Sequence, residues 1–141
     1  MTLTLVPDAE KIVSGYLRTH TSITALGARI VGKTPSSTDE PWVRVTQLDD
    51  RALGAHRADS HHEFYLQFDC YAGQSGGQPE ASTLSRTVRA ALAEIQGATL
   101  DAVVAGVDFR SHARIPDTDV DEPARERFVL TALVYMHGTN L

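Results

Sequence analysis

The sequence contains one cysteine, Cys70, among its 141 residues. A single thiol excludes an internal disulfide and any zinc or iron–sulfur site built from several cysteines. Apolar runs are short, and none approaches the roughly 20 residues of a membrane-spanning helix. Basic residues are also few: 13 Lys and Arg stand against 18 Asp and Glu, for a formal net charge of −5. Because duplex-binding proteins present a basic surface to the phosphates, this balance argues against tight nucleic-acid binding.

The first residues carry neither a basic segment nor a long apolar stretch, so we expect no secretory signal. The lone cysteine fits synthesis in a reducing cytoplasm. With 42% hydrophobic and 22% charged residues, the composition is that of a globular chain. Its length is typical of one domain, and we expect a single domain over residues 1–141.

Two segments have the apolar spacing of amphipathic helices. The first follows Pro7 and the candidate N-cap Asp8, and it is expected to end between Thr19 and Thr24. The second begins at Pro79 and runs to Ile95.

Alternation of apolar and polar residues predicts the strands. It is clearest at His62–Tyr71, where Phe64, Leu66, Phe68 and Cys70 share one face, which predicts a buried, inert thiol. Segment 128–136 is apolar on both faces except at Thr131, and it is predicted to be a central strand that is covered on both faces. Further strands are predicted at 29–32, 42–48 and 102–114. The fold class is therefore α+β: a mostly antiparallel sheet of four to five strands with two helices packed against it.

No pattern of catalytic residues is present. The sequence lacks GxSxG and the GxxxxGK[ST] phosphate loop, and its Gly73–Gln78 stretch is interpreted as a flexible break. We predict that the protein is not an enzyme and needs no cofactor.

Metal binding is also disfavoured. His56, His61 and His62 lie close in sequence, but neighbouring strand positions point to opposite faces, so we expect a solvated or interface-facing loop. The acidic run Asp117–Glu122 lacks the glycine and the glutamate of a calcium-binding loop. A weak divalent-ion site there is the alternative to a solvated loop that faces water or a basic partner.

Two polar segments, Asp49–Ser60 and Pro116–Ala124, are predicted to be long loops, and long loops on small domains often carry function. The first carries charges of both signs and the second is acidic, and this mixed charge favours contacts with neighbouring molecules. Trp42 is either an interface anchor or a lid over the sheet edge. The candidate partner or subunit-interface residues are Trp42, Arg51, His56, Arg57, Asp59, Asp117, Asp119, Asp121 and Glu122.

Four stretches together resemble a known family: Pro7–Arg18, Glu63–Tyr71, Ala81–Ile95 and Arg125–Met136. In the order of their elements and in their residue pattern they are similar to tail terminator (tail completion) proteins of long-tailed bacteriophages, especially those of actinobacterial hosts. The resemblance covers residues 7–138.

The resemblance implies a virion structural protein that forms a ring, expected to be a hexamer, at the head-proximal end of the tail. Such a ring caps the tail tube, ends its polymerisation and presents a surface to the head connector. Its partners would be other copies, the tail tube protein and the head-completion protein, with DNA passing through the channel without specific binding. The family has no catalytic residues to transfer. The alternatives are another head–tail connector or minor tail protein, a monomeric protein-binding adaptor, or a small enzyme with a histidine–carboxylate site.

Overall fold

The computed structural model describes residues 4–35, 39–52, 61–73, 76–115 and 126–140. Three helices, one short 3-10 turn and seven strands follow one another within these ranges. In chain order they are β1 Thr4–Leu5, α1 Ala9–Thr19, α2 Thr21–Ala25, β2 Arg29–Val31, β3 Trp42–Ala52, β4 His61–Tyr71, α3 Gln78–Ala93, the 3-10 turn Ile95–Gly97, β5 Val104–Arg114, β6 Arg127–His137 and β7 Thr139–Asn140.

Five strands form the main sheet in the order β2-β3-β4-β6-β5. All of its pairings are antiparallel except the short parallel pair of β2 and β3. The small strands β1 and β7 pair with each other. The predicted α+β fold with a mostly antiparallel five-stranded sheet is therefore confirmed, and β6 lies inside the sheet, as its apolar sequence indicated.

All three helices pack on one face of the sheet, which we call the core face. Phe64, Leu66 and Phe68 of β4 are fully buried there against the α3 stripe of Leu84 and Val88. Val13 and Leu17 of α1 and Ile23 of α2 join the same cluster. Cys70 is also fully buried on this face, as its position in the strand pattern predicted. We call the opposite face of the sheet the outer face.

The interpretation of Asp49–Ser60 as a loop is wrong at its beginning. β3 extends to Ala52, and Asp49 to Ala52 pair with β4. The register shifts between Gln47 and Asp49, so the intervening Leu48 breaks the two-residue period and hides the strand from a search for alternation. Residues 53–60 lie outside the described residues.

The first helix ends at Thr19, within the expected interval, but the sequence pattern missed the helix that follows. The His20 ring accepts a hydrogen bond from the Ser22 amide at the start of α2, and the buried Ile23 anchors this five-residue helix to the core. A helix this short offers too few positions to display a periodic pattern.

The free edges of the sheet are protected in two different ways. At the β2–β3 edge, Glu10 accepts a hydrogen bond from the Gln47 amide at 2.9 Å, and the Arg18 guanidinium donates to the Ile30 carbonyl at 3.2 Å. Both side chains belong to α1. At the other edge, β5 carries two register shifts, and bulges of this kind make an edge a poor template for strand pairing.

Candidate functional site

Two of the nine predicted interface residues, Trp42 and Arg51, lie within the described part of the chain. Arg51 is exposed on β3 and is paired in register with Glu63. The other seven, which lie outside the described residues, are His56, Arg57, Asp59, Asp117, Asp119, Asp121 and Glu122.

Trp42 begins β3 on the outer face, and it is only 3% exposed. Its ring stacks on Tyr71, the residue opposite it in β4, with 4.0 Å between centroids and 12° between planes. The Arg127 guanidinium lies 5.6 Å from the Tyr71 ring centre and donates to the Tyr71 hydroxyl at 3.0 Å. Trp42 is therefore packed within its own chain rather than projecting from it.

Next to this aromatic pair lies a fully buried carboxylate, that of Asp69 on β4. Arg44 Nη2 donates to Asp69 Oδ2 at 3.2 Å, Gln67 Nε2 donates to the same oxygen at 3.1 Å, and Arg127 Nη1 lies 3.8 Å from Oδ1. A buried charge is tolerated only when it is paired and hydrogen-bonded, and these donors meet that need. We call Trp42, Arg44, Gln67, Asp69, Tyr71 and Arg127 the Asp69 cluster.

Three side-chain nitrogens in this cluster are buried without a hydrogen-bond acceptor among the described residues: Trp42 Nε1, Arg44 Nε and Arg127 Nε. Most buried donors in proteins have a partner, so three such atoms within one small cluster are unusual. Sequence reasoning missed the cluster except for Trp42. The alternation of each strand could have found its members. Its polar members in β3 and β4 all occupy the face opposite to the apolar residues: Arg44, Gln67, Asp69 and Tyr71.

Aromatic residues are divided between the two sheet faces by type. All four phenylalanines lie on the core face: Phe64, Phe68, Phe109 and Phe128. Trp42 and three of the four tyrosines, Tyr65, Tyr71 and Tyr135, occupy outer-face positions. Tyrosine and tryptophan combine an apolar ring with a polar atom, and they are enriched where a protein surface meets a partner. Of these outer-face rings, Trp42 and Tyr71 are buried within the chain, and Tyr65 and Tyr135 are half-buried.

The histidines at the far end of the sheet do not converge on one point. As predicted, His61 and His62 point to opposite faces: the His61 ring contacts that of His137 at 4.4 Å, whereas His62 Nδ1 lies 2.6 Å from Asp50 Oδ1. The expectation of a solvated His62 is wrong, because this side chain is 3% exposed at a core-face position next to Phe64. Within the described residues, no three His, Cys, Asp or Glu side chains are placed to share a metal ion.

A serine and a histidine do meet, between α3 and β5. His112 Nε2 lies 2.9 Å from Ser85 Oγ, and the Ser85 hydroxyl donates to the Ser82 carbonyl at 3.0 Å. Burial and the nearby guanidinium groups of Arg89 and Arg86 lower the pKa of His112. Because Ser85 is fully buried, no substrate can reach its oxygen, and the pair connects the helix to the sheet.

The cysteine is similarly inaccessible. Burial, with a smaller effect of Asp69, raises the pKa of the Cys70 thiol far above its usual range, so the thiolate needed for nucleophilic attack does not form near neutral pH. Two shallow grooves border α3. The one against α2, of about 340 Å³, includes His20, Arg86 and Glu94, and the other, of about 310 Å³, includes Leu26, Pro41 and Pro79. The first groove also includes Ser22, but both ring nitrogens of His20 are engaged elsewhere: Nδ1 accepts from the Ser22 backbone amide at 3.3 Å, and Nε2 lies 3.3 Å from Glu94 Oε2.

Comparisons with known proteins give a family match and a similar solved structure. The family described as "Tail completion protein gp17" matches residues 13–135. Among solved structures, a chain from the "Virion of native gene transfer agent (GTA) particle" superposes with a TM-score of 0.63 at 16% identity, covering 92% of this chain and 94% of that one. No curated protein matches the sequence. In the described residues, no helix has the length and apolar character to cross a membrane.

The family match extends from α1 to β6 and so includes α3 and all strands of the main sheet. The chain therefore belongs to the phage tail completion protein family and is a structural component of the virion tail.

Proposed function

We propose that this chain forms a ring at the head-proximal end of a long phage tail, where it caps the tail tube, ends polymerisation and provides the surface to which the head is joined. Six copies are the expected number. The observation that carries the proposal is the family match over residues 13–135. Its partners are other copies of the chain, the tail tube protein and a head-completion protein.

The charge of the chain supports this role. DNA must pass through the centre of such a ring without being held, and a net charge of −5 disfavours a grip on phosphates. A closed ring also repeats one head-to-tail contact, so each subunit needs two different, complementary patches. The two polar segments, one of mixed charge and one acidic, are candidates for parts of such patches.

The proposed subunit contacts include the residues that the sequence singled out. Arg51 is exposed at the end of β3, beside the segment 53–60 that contains His56, Arg57 and Asp59. The acidic residues from Asp117 to Glu122 would contact a neighbouring copy or the tail tube, and opposite charges would guide the approach.

Solution mass and tail morphology test the proposal. A ring of six 15.3 kDa chains is expected alone or on isolated tail tubes, and a chain that remains monomeric in both settings contradicts it. Replacing residues 53–60 with a short Asn–Gly turn should leave β3 and β4 paired, as circular dichroism would show. Phage carrying this change should have unjoined tails or tails of uncontrolled length in electron micrographs. Normal tails would exclude a role of the segment in assembly.

Arg51→Glu combined with Arg57→Glu tests the charge contact separately. Rim charges act mainly on association rates, so ring formation should slow most at low salt and recover as salt is raised. Lys11→Glu combined with Arg86→Glu, at exposed positions of α1 and α3 on the helical side of the sheet, is the matched double charge reversal. Equal rates for both proteins would remove Arg51 and Arg57 from the interface.

A further inference from the structure

The outer face of the sheet has no helix packed on it in the described part of the chain, because all three helices join the core cluster. Its central residues are nevertheless well packed: Val129, Thr131 and Leu133 are 7%, 6% and 8% exposed. At one end of this face lies the Asp69 cluster, in which Trp42 and Tyr71 stack on each other beside two arginines. Trp42 and Tyr71 are themselves buried, so a partner would meet the two partly exposed arginines, and arginine is one of the residues that most often dominate binding energy at protein interfaces.

Both edges of the main sheet are protected against pairing with a strand of another copy, which favours a contact through this face. Glu10 and Arg18 occupy backbone groups at the β2–β3 edge, and β5 has two bulges. Extension of the sheet from one copy to the next is therefore disfavoured at both ends. A head-to-tail contact then needs a face rather than an edge.

The charge of the Asp69 cluster indicates that a segment bound there is acidic. Arg44 and Arg127 both border Asp69, so two guanidinium groups face one carboxylate and one positive charge remains in excess. The two arginine side chains are 27% and 24% exposed, which leaves part of each accessible. The chain itself carries the complement, since the sequence from Asp117 to Glu122 has four acidic residues and no basic one.

We propose that the outer face around the Asp69 cluster is a subunit contact that receives the acidic segment 117–122 of a neighbouring copy. This contact rests on the proposed ring. Acidic side chains of the neighbour pair with Arg44 and Arg127 above the Trp42–Tyr71 stack. The outer face is then one patch of the head-to-tail contact, and the acidic segment is the other.

Disulfide crosslinking between proteins that each carry one introduced cysteine tests the contact. Ala113 is exposed on β5 in the same cross-strand row as Val129 and Asp69, so Ala113→Cys places a thiol on the outer face beside the cluster. Asp119→Cys labels the acidic segment, and mixing the two proteins excludes a bond within one chain. Ala90→Cys, an equally small and exposed residue on α3, is the matched control. The native Cys70 is buried and does not compete.

In mixed rings under mild oxidation, the Ala113→Cys and Asp119→Cys pair should form a covalent dimer at least about 10-fold faster than the Ala90→Cys and Asp119→Cys pair, because held groups have high effective concentrations. Salt near 1 M, where the Debye length is about 3 Å, should reduce the difference. As a second variant, neutralising all four acids to Asn and Gln should weaken ring formation without lowering the midpoint of urea unfolding.

The outcomes separate the contact from the ring. Rings of the expected mass with equal or no crosslinking in the two mixtures overturn the contact and leave the ring intact. Crosslinking of Ala113→Cys to the tail tube protein in place of Asp119→Cys also overturns it, because another partner then covers the outer face. A wild-type chain that stays monomeric on tails overturns both proposals.

Discussion

Asp69 shows how much one residue can constrain this sheet. Its carboxylate has no exposure, and its charge is balanced by side chains from two neighbouring strands, Arg44 of β3 and Arg127 of β6. Through these two contacts, side chains connect the central strand β4 to both neighbouring strands at the same end of the sheet. Such a charge is stable in place only while its partners remain.

Asp69→Asn is expected to destabilise the protein by about 3–5 kcal/mol, the range for breaking a buried ion pair, because two guanidinium groups lose their counter-charge. The free energy of unfolding from urea titration measures it. Asp108→Asn is the control: this aspartate is exposed and lies 3.4 Å from Arg110, so the loss should be at most about 1 kcal/mol. Equal losses would show that the burial of Asp69 has no energetic consequence.

Phe68→Ala should also cost about 3–5 kcal/mol, but for a different reason: it leaves a cavity under α3. Tyr65→Ala removes an aromatic ring from the outer face of the same strand, where the side chain is half-buried, and it should cost less. Urea titrations of the two variants provide the comparison. A loss below about 1 kcal/mol for Phe68→Ala would contradict the assigned core face.

The lowered pKa of His112 gives stability a pH dependence with a defined sign. Between the folded value and the ordinary value of 6.5, the unfolded chain binds more protons than the folded one. The free energy of unfolding contributed by this residue should therefore fall as pH drops below about 6.5, and it should level off below the folded pKa.

His112→Gln should flatten this part of the stability profile, measured by urea titration between pH 7 and pH 4. Ser85→Ala is the matched variant: it removes the hydrogen bond but keeps the burial and the two arginines that lower the pKa, so the slope should persist. An unchanged slope in His112→Gln would assign the pH dependence to other groups.

Among the elements, α1 does more than fill the core. Its apolar side packs on the sheet through Val13 and Leu17, while Glu10 near its start and Arg18 in its last turn satisfy backbone groups of two strands. One helix thus buries a face and closes an edge. The opposite charges of the two side chains suit a free N–H and a free carbonyl respectively.

Opening this edge should promote association through strand pairing. In Glu10→Ala combined with Arg18→Ala, the Gln47 amide and the Ile30 carbonyl lose their partners. We expect concentration-dependent aggregates that bind amyloid dyes and scatter light, while the dilute protein remains folded. Lys11→Ala, at an exposed position of the same helix, is the control. Clear solutions of both proteins at high concentration would show that the edge is protected by other means.

At the same scale, the strength of the sequence signal decides which elements can be predicted. The long periodic segments, α3 and β4, were predictable because each displays several apolar residues on one face. The end of β3 was not, because a bulge at Leu48 reverses the parity of the residues after it. The Asp69 cluster could not be predicted for another reason. Arg44, Asp69 and Arg127 come together only through the register of three strands, and the numbers of residues between them follow no periodic pattern.

For the whole molecule, the strand order separates neighbours in space from neighbours in sequence. β4 pairs on one side with β3, which precedes it, and on the other with β6, which comes after α3 and β5. Loop closure must therefore precede the central pairing of β4 and β6, and such non-local contacts slow folding. We expect folding in milliseconds to seconds. Stopped-flow folding and unfolding rates of Phe68→Ala would show whether the pairing of β4 and β6 forms before or after the rate-limiting step.

The stacked pair at the start of β3 also gives the molecule an optical signature. Trp42 is the only tryptophan, and its ring is held 4.0 Å from that of Tyr71 in a nearly parallel orientation. Two chromophores fixed in a chiral frame produce circular dichroism in the near ultraviolet, and this signal vanishes when specific side-chain packing is lost even if secondary structure survives. The tryptophan signal of this chain thus reports on one place, the junction where β3, β4 and β6 lie side by side.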